Sequence, residues 1–403
     1  MKVKGFVLPG SFGSQAVLFG RSRLGTAVAS LGGVVTIGTV LRPVVRYARA
    51  DDGVTIAYSV AGDGPVTVVF VSPLISQLEL AWEEPALEHF WSRWAACARV
   101  VMFDRRGAGL SDRSAAAERF SLAALAMDVK AVLDDSDTQR AVLLGVTFGC
   151  AVAIGFAASY PERVQALVLA GGFAKLRRLG EFDFEADPAQ VGEWAARTAH
   201  AWGSGTTFAA RAPAMEDNAR YRDWAARMER HTCSPGSVEA LCKWAATVDV
   251  SPLLATLRVP TLVLHRAGDR TVLAADGRYL AGHIPGAAYA ELPGDNHTLF
   301  VGDQRAVFGA VIGFLDREVA AGALRAALRR ADRKDAAGTG WESLTPSERE
   351  VARLVAAGMT NSQIAARLSL SPHTVDGRLR RVFAKLGVNT RVEVTAEYAR
   401  VTS

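Results

Sequence analysis

Ala141-Val142-Leu143-Leu144-Gly145-Val146-Thr147-Phe148-Gly149 is the stretch on which the fold turns. Its first six residues are apolar or small without alternation, the pattern of a strand buried on both faces. The strand runs straight into a second apolar segment, residues 149–160, long enough for three helical turns. Working outwards, residues 54–60, 66–71, 100–103, 166–170, 261–265 and 288–292 read as further short strands. Residues 122–133 read as a helix, and so do residues 80–96, where Trp82, Leu87, Phe90, Trp91 and Trp94 recur at helical spacing. Short apolar strands alternating with helices predict an α/β fold with a mostly parallel sheet covered on both faces. Residues 172–250 break the rhythm. They are helix-rich and contain Trp194, Trp202, Trp224 and Trp244, and an insertion of that size after a central strand reads as a helical cap. The four tryptophans can pack the cap, face a ligand, or do both.

The chain has 403 residues, half of them hydrophobic, with a net charge of +5. That is room for two or three globular domains and excludes a disordered chain. Charge is unevenly spread. Residues 1–50 carry seven Lys/Arg and no acid, residues 317–340 and 341–403 are each +3, and residues 51–316 are −8. A basic C-terminal part beside an acidic middle suits a nucleic-acid module attached to a second domain, although charge alone is equally the mark of solvated helix faces. Cys97, Cys150, Cys233 and Cys242 have no paired or metal-like spacing. They read as free thiols in a reducing cytoplasm, and neither metal nor cofactor is expected. Residues 24–41 are uncharged and flanked by Arg21, Arg23 and Arg42, as in a signal h-region or a marginal membrane span. Their Gly, Thr and Ser content and the lack of a dense Leu/Phe block favour a poorly ordered extension over residues 1–45, with no membrane role.

The C-terminal part announces its helices directly. Thr345-Pro346-Ser347-Glu348 and Thr360-Asn361-Ser362-Gln363 are capping boxes, and Ser371-Pro372 opens a third helix. Gly358 and Gly387 stand where left-handed C-caps are expected. The helices predicted are 346–357, 361–368 and 372–386, with a fourth near 391–400. Val351, Leu354 and Val355, then Ile364, Ala365 and Leu368, then Val375, Leu379, Val382, Phe383 and Leu386 make three stripes able to close as one core. The turn at Ser369 and Leu370 is short, as a helix-turn-helix requires. The third helix keeps His373, Asp376, Gly377, Arg380, Arg381 and Ala384 away from that core, a face fit for a major groove. Arg378 and Lys385 are placed to reach phosphates. The same pattern is also open to a three-helix protein-binding bundle.

Leu344-Thr345-x-x-Glu348-x-x-Val351-x-x-Leu354, Gly358-x-x-Asn361-x-x-Ile364-Ala365, Ser371-x-x-Thr374-Val375 and Lys385-Leu386-Gly387-Val388 resemble the LuxR-type signature over about fifty residues. The resemblance implies a four-helix module whose third helix reads double-stranded DNA, with Thr374, Asp376, Gly377, Arg378, Arg380, Arg381 and Lys385 as the candidate contacts. It also implies a homodimer on DNA and RNA polymerase as a candidate contact. Arg378 stands where the family often has histidine.

The middle of the chain resembles the α/β-hydrolases over residues 46–316. Gly145-Val146-Thr147-Phe148-Gly149 holds the place of the nucleophile elbow. Asp104-Arg105-Arg106-Gly107-Ala108-Gly109-Leu110-Ser111-Asp112 is similar to the loop after the family's fourth strand. His265-Arg266-Ala267-Gly268-Asp269 and Pro293-Gly294-Asp295-Asn296-His297 put Asp269 and His297 at the positions of the triad acid and base. The family has serine at the elbow, and this chain has Thr147. A β-branched residue is costly at the positive φ an elbow requires, and its methyl crowds a substrate carbonyl. The oxyanion hole would use the N–H groups of Phe148 and Leu74, but Pro73 replaces a usual glycine and offers no N–H. Three readings follow. The domain is a degenerate pocket sensing a small molecule, a working esterase-like hydrolase with Thr147 as nucleophile, or a dimerising domain only. The expected layout is an extension (1–45), an α/β-hydrolase-like domain (46–316, cap about 172–250), a basic linker (317–340, helical at first and loose over 336–340) and a small all-α helix-turn-helix domain (341–403). The whole is expected to be a cytoplasmic, DNA-binding regulator.

Overall fold

The computed structural model describes residues 34–37, 40–113, 120–338, 341, 344–368, 370–388 and 390–402. Most of the uncharged stretch 24–41, the turn residue Ser369 and the joint at 339–340 lie outside them, as do the side chains of His373 and Ala384. Within the expected extension, β1 (Val34–Ile37) pairs antiparallel with β2 (Val40–Pro43), so this part is a hairpin rather than unordered chain.

The main sheet is built from β3 (Val45–Arg49), β4 (Thr55–Ala61), β5 (Thr67–Val71), β6 (Arg99–Phe103), β7 (Ala141–Val146) and β8 (Val164–Ala170). After a two-residue hairpin, β9 (Arg178–Leu179) with β10 (Phe182–Asp183), it is completed by β11 (Thr261–Arg266) and β12 (Ala288–Leu292). The spatial order is β12-β11-β8-β7-β5-β6-β4-β3. Every pairing is parallel except β3 with β4 and β4 with β6. Alternation along each strand divides the core in two. Val69, Val71, Val101, Leu143, Leu167 and Val263 join α2 (Leu122–Asp135) and α3 (Gly149–Ser159) on one face. Their neighbours Val68, Val100, Val142, Leu144, Val168 and Leu262 join α1 (Pro85–Ala95) on the other. Both faces are dry, which is why the central strands read as unbroken apolar runs.

Two elements differ from the sequence expectation. The helix expected over 80–96 starts at Pro85, because Glu84 accepts from the Ala86 N–H and the proline ring fixes the first helical φ. Leu80–Trp82 is a separate 3₁₀ turn, with Trp82 still buried. Strand β3 was not expected. It is an edge strand with Arg46, Tyr47 and Arg49 facing solvent, so it carries no apolar run.

The insertion after β8 carries α4 (Gln190–Ala201), α5 (Thr206–Ala209), α6 (Ala219–Thr232) and α7 (Pro235–Ala245). It closes at its neck, where Val250 N–H donates to the Ala174 carbonyl and Lys175 bridges to Asp249. Trp224 Nε1 donates to the Leu80 carbonyl at 2.8 Å and Thr232 Oγ1 to the Ser76 carbonyl at 3.0 Å, tying the cap to the loops above the sheet. After α8 (Ser251–Leu254) and α9 (Ala274–His283), α10 (Gln304–Leu315) completes the second face. The expected linker is largely α11 (Ala323–Gly338), begun by Asp316, which accepts from the Leu324 and Arg325 N–H groups. Leu324 and Ala327 are buried in the core layer of α1 and α10. The chain ends in α12 (Pro346–Ala356), α13 (Asn361–Leu368), α14 (Pro372–Leu386) and α15 (Arg391–Thr402), around a core of its own that includes the expected Val351, Leu354, Ile364, Val375, Leu379 and Val382.

Below the cap, the Asp104–Asp112 loop is held by a buried ion pair. Arg106 Nη2 lies 2.6 Å from Asp128 Oδ1, with both side chains fully buried, while Nη1 reaches Asp52 at 2.6 Å. Removing one partner leaves an uncompensated buried charge. Arg106→Ala should therefore destabilise the domain by about 3–5 kcal/mol, read as a lowered urea midpoint with an unchanged m-value.

Candidate functional site

Close packing makes the turn from β7 into α3 sharp. A Cβ on Gly149 would stand 2.1 Å from the Val71 carbonyl oxygen, and one on Gly145 would stand 2.8 Å from the Gly149 oxygen. Between these glycines the chain reverses through Thr147, whose φ is +53°. Few non-glycine residues adopt such a φ, and a β-branched one is strained by about 1–3 kcal/mol. The strain lifts the Thr147 hydroxyl to the C-terminal end of the sheet. There Oγ1 lies 2.6 Å from His297 Nε2, and His297 Nδ1 lies 2.7 Å from Asp269 Oδ2. The three positions expected from the sequence thus meet in one chain of hydrogen bonds.

Proton positions follow from the partners. Burial alone would raise the Asp269 carboxyl, but hydrogen bonds from His265 and His297 outweigh it and hold the group well below the ordinary carboxylate range. An ionised Asp269 only accepts, so His297 Nδ1 carries the proton. In the neutral imidazole Nε2 is then the acceptor of the Thr147 hydroxyl, the arrangement a general base requires. Asp269 Oδ1 also accepts from the N–H groups of Thr271 (2.8 Å) and Val272 (3.2 Å). The sequence reading did not single out His265. Its Nε2 lies 2.9 Å from the Val272 carbonyl and 3.5 Å from Asp269 Oδ2, which fixes the carboxylate from a second side. The one available signal was its place four residues before Asp269.

Thr147 and His297 open into a cavity of about 130 Å³ enclosed by the sheet end, α1 and the cap. Its lining is almost wholly apolar and includes Phe90, Trp91, Phe173, Trp194, Phe208 and Phe300. Of the four cap tryptophans only Trp194 faces it. Trp244 packs edge-on against Phe148, and Trp202 and Trp224 donate to main-chain carbonyls. Leu74 and Phe148 both line the cavity, and among the described residues no carbonyl accepts from either N–H. The Leu74 carbonyl is held by Arg105 Nη2 at 2.9 Å. The loop containing Pro73 thus keeps the Leu74 N–H without a backbone acceptor at the same cavity as that of Phe148. Two ionisable lining residues were not among the candidates. Burial pushes the Asp104 carboxyl up to about 6, and Arg211 brings a cation from the cap. Nothing in the local sequence distinguishes Arg211, because only tertiary folding brings the cap over the sheet.

The C-terminal module places a second candidate surface. Thr345 and Glu348 form the expected capping box, the Thr360–Gln363 pair forms another, and Ser371 accepts from the Thr374 N–H. Gly358 and Gly387 adopt φ of +78° and +68°. On α14, Thr374, Arg380 and Arg381 are exposed, Asp376, Gly377 and Arg378 partly so. Arg380 pairs with Asp376 at 2.7 Å across one turn. Lys385 departs from expectation. It lies 2.7 Å from the buried Glu348 carboxylate, which Arg381 also approaches at 3.3 Å. The packing of α12 against α14 buries Glu348, and the carboxylate then needs a cation, so Lys385 turns inward rather than towards a phosphate.

Burial would raise Glu348, yet hydrogen bonds from Lys385 and Thr345 hold it at about 2 against an ordinary 4.5. Because the folded-state value is depressed, this contribution to stability is complete above pH 4.5 and is lost as pH falls towards 2. Amide protection factors at Val351 and Leu354 should fall through that window in the wild type. In Glu348→Gln they should start lower and change less.

Residues 89–304 match the family described as alpha/beta hydrolase fold, and residues 342–397 match the bacterial regulatory proteins of the luxR family. A helix-turn-helix-type transcriptional regulator of Mycobacterium tuberculosis is 52% identical over 71 residues, which are 18% of this chain and 8% of that protein. The chain thus spans under a tenth of that relative's length. A 3-oxoadipate enol-lactonase of Acinetobacter baylyi is 29% identical over 196 residues, covering 46% of this chain and 67% of the enzyme. The crystal structure of an esterase from Rhodococcus sp. superposes with a TM-score of 0.55 at 26% identity, over 68% of this chain and 99% of the esterase. The α/β fold and the C-terminal helix-turn-helix agree with the sequence reading.

Proposed function

We propose that this chain, which belongs to the α/β-hydrolase fold family and ends in a luxR-family helix-turn-helix, is a DNA-binding transcriptional regulator whose hydrolase-fold domain senses a small acyl ligand. One observation carries the reading. The polypeptide that holds an apolar cavity floored by Thr147 and His297 also carries a helix-turn-helix with a solvent-facing arginine surface. Ester and lactone chemistry among the relatives supports an acyl ligand. The proposed setting is the cytoplasm, where two copies would place their α14 helices in successive major-groove half-sites and could contact RNA polymerase. No helix among the described residues is long and apolar enough to cross a membrane.

The recognition face has a direct test. The Arg380 side chain is 76% exposed, and Gly377 has open space where a Cβ would stand. Glycine within a helix costs about 1 kcal/mol relative to alanine. At a groove-facing position it permits close approach. Gly377→Ala should therefore raise thermal stability while weakening DNA binding in gel shifts. Arg380→Ala should weaken binding roughly tenfold or more with little change in stability. DNA affinity unchanged in both variants would move the recognition face elsewhere.

A second reading, ester hydrolysis, is favoured by the 2.6 Å Thr147–His297 contact. The relay for removing a hydroxyl proton is complete, and what opposes catalysis is the extra methyl of Thr147. On short aryl esters the wild type should be slow or silent, and Thr147→Ser should gain turnover by about 10²-fold or more. His297→Ala should abolish activity in either background. Fast wild-type turnover would make the domain an enzyme in its own right.

A further inference from the structure

Arg211 is the one positively charged side chain lining the cavity, and it stands among aromatic and aliphatic groups. Its Nη1 donates to the Thr207 carbonyl at 2.7 Å. Among the described residues no carboxylate lies within ion-pair distance of it. The two acids whose charge reaches it are already engaged. Glu229 accepts from the N–H groups of Gly203, Gly205 and Phe208 at 2.7–2.9 Å, capping α5. Asp269 accepts from His297, Thr271 and Val272. Arg211 is half-buried beneath the cap, and desolvation lowers its pKa from the ordinary value against the opposing pull of neighbouring groups that include Glu229 and Asp269. A guanidinium remains charged even so, and an unneutralised cation in an apolar site is costly unless something that binds there neutralises it.

We propose that Arg211 is the anion-recognising group of this pocket, and that the ligand is a small acyl compound bearing a carboxylate at the end remote from its ester or lactone carbonyl. The inference rests on the acyl-ligand reading above and narrows it. With Nη1 held by Thr207, Nη2 and Nε remain as an edge, the parallel pair of donors that a planar carboxylate accepts. The carbonyl would lie at Thr147, between the Leu74 and Phe148 N–H groups, and the apolar walls would enclose the carbon chain.

The position of Arg211 also gives the carboxylate a mechanical consequence. Its main-chain carbonyl accepts from the N–H groups of His297 (2.9 Å) and Thr298 (3.3 Å). Asn296 Oδ1 in turn accepts from the Ala214 N–H at 3.1 Å. Drawing the Arg211 side chain onto a ligand therefore pulls directly on the loop that carries the triad histidine.

Calorimetric titration of the full-length protein with monomethyl glutarate and with dimethyl glutarate separates charge from shape. The monoester should bind the wild type about tenfold more tightly or better. Arg211→Gln should erase that preference and leave diester binding unchanged, and Arg211→Lys should retain part of it. The main-chain bonds to His297 survive in both variants, and unchanged melting temperatures would establish that they fold. Equal binding of the two probes by the wild type, or a preference that persists in Arg211→Gln, overturns the carboxylate assignment and leaves the acyl pocket standing. Binding of neither probe overturns both.

Discussion

The close approach of α3 to β5 is the constraint from which the site follows. Gly149 lies so near the Val71 carbonyl that no side chain fits, and the chain must leave β7 and enter α3 within two residues. That geometry demands a positive φ at Thr147 and turns its hydroxyl outward at the end of the sheet. Once the hydroxyl is there, the loops after β11 and β12 bring Asp269 and His297 to it, because parallel neighbours end at the same edge. The same turn frees the Phe148 N–H, which precedes the first helical hydrogen bond of α3. The place of the Thr147 hydroxyl, its contact with His297 and Asp269, and the free Phe148 N–H thus follow from one backbone requirement. The strain stored at Thr147 is offset by the bonds it makes possible rather than relieved.

Charge is managed differently in the two parts of the molecule. Beneath the cap, buried acids take up main-chain donors: Glu229 accepts from three N–H groups and Asp269 from two besides its histidines, while Asp104 takes Leu78 and Leu110 on Oδ2 and its Oδ1 has no hydrogen-bond partner among the described residues. Arg211, which has no ion pair among the described residues, and Asp104, with one oxygen unpartnered, are the charged-type groups left open to the cavity. In the helix-turn-helix the buried Glu348 plays the opposite part. It gathers Lys385, Arg381 and the Thr345 cap, so that separating α12 from α14 would strip a buried carboxylate of its cations. That bond fixes the angle at which α14 leaves the core, and so the direction in which Arg380 points.

Legibility in the sequence follows the range of the interactions. The central strands, α3 and the four C-terminal helices are written in local pattern: apolar runs, capping boxes, and glycines at Gly358 and Gly387 that only a left-handed cap explains. The triad positions were legible through resemblance to the family's motifs and their order along the chain, and the structure sets them at the ends of β7, β11 and β12. The true start of α1 is settled by Glu84 and Pro85, local signals that the tryptophan periodicity masked. Strand β3 was hidden by its polarity, an edge strand needing only one apolar face. Arg211 and His265 were silent, since a charged residue in a cap loop and a histidine on a buried strand carry no periodic mark. Lys385 misled for a physical reason. Its spacing suits a solvent-facing helix end, and only the burial of Glu348, 37 residues away, draws it inward.

The proposed sensing role needs a path from cavity to DNA-binding domain, and the fold restricts what that path can be. The cavity lining is shared between the cap and the face of the sheet that α1 and α10 cover. Phe90 borders the cavity on one side and lies 5.3 Å, ring to ring, from Phe308 of α10. Helix α11 is set on that same layer by Leu324 and Ala327, with Asp316 holding its first turn. A close-packed layer transmits displacement because it cannot absorb it, so a ligand that shifts Phe90 must also shift the seat of α11 or be excluded. The helix that leads to the DNA-binding domain thus shares a continuous packed layer with the pocket through α1 and α10. The bonds from the Arg211 main chain to the His297 loop couple the cap to the floor of the cavity instead. A ligand that engages both Arg211 and the aromatic wall would act on the two at once, whereas a neutral apolar molecule would act on the wall alone.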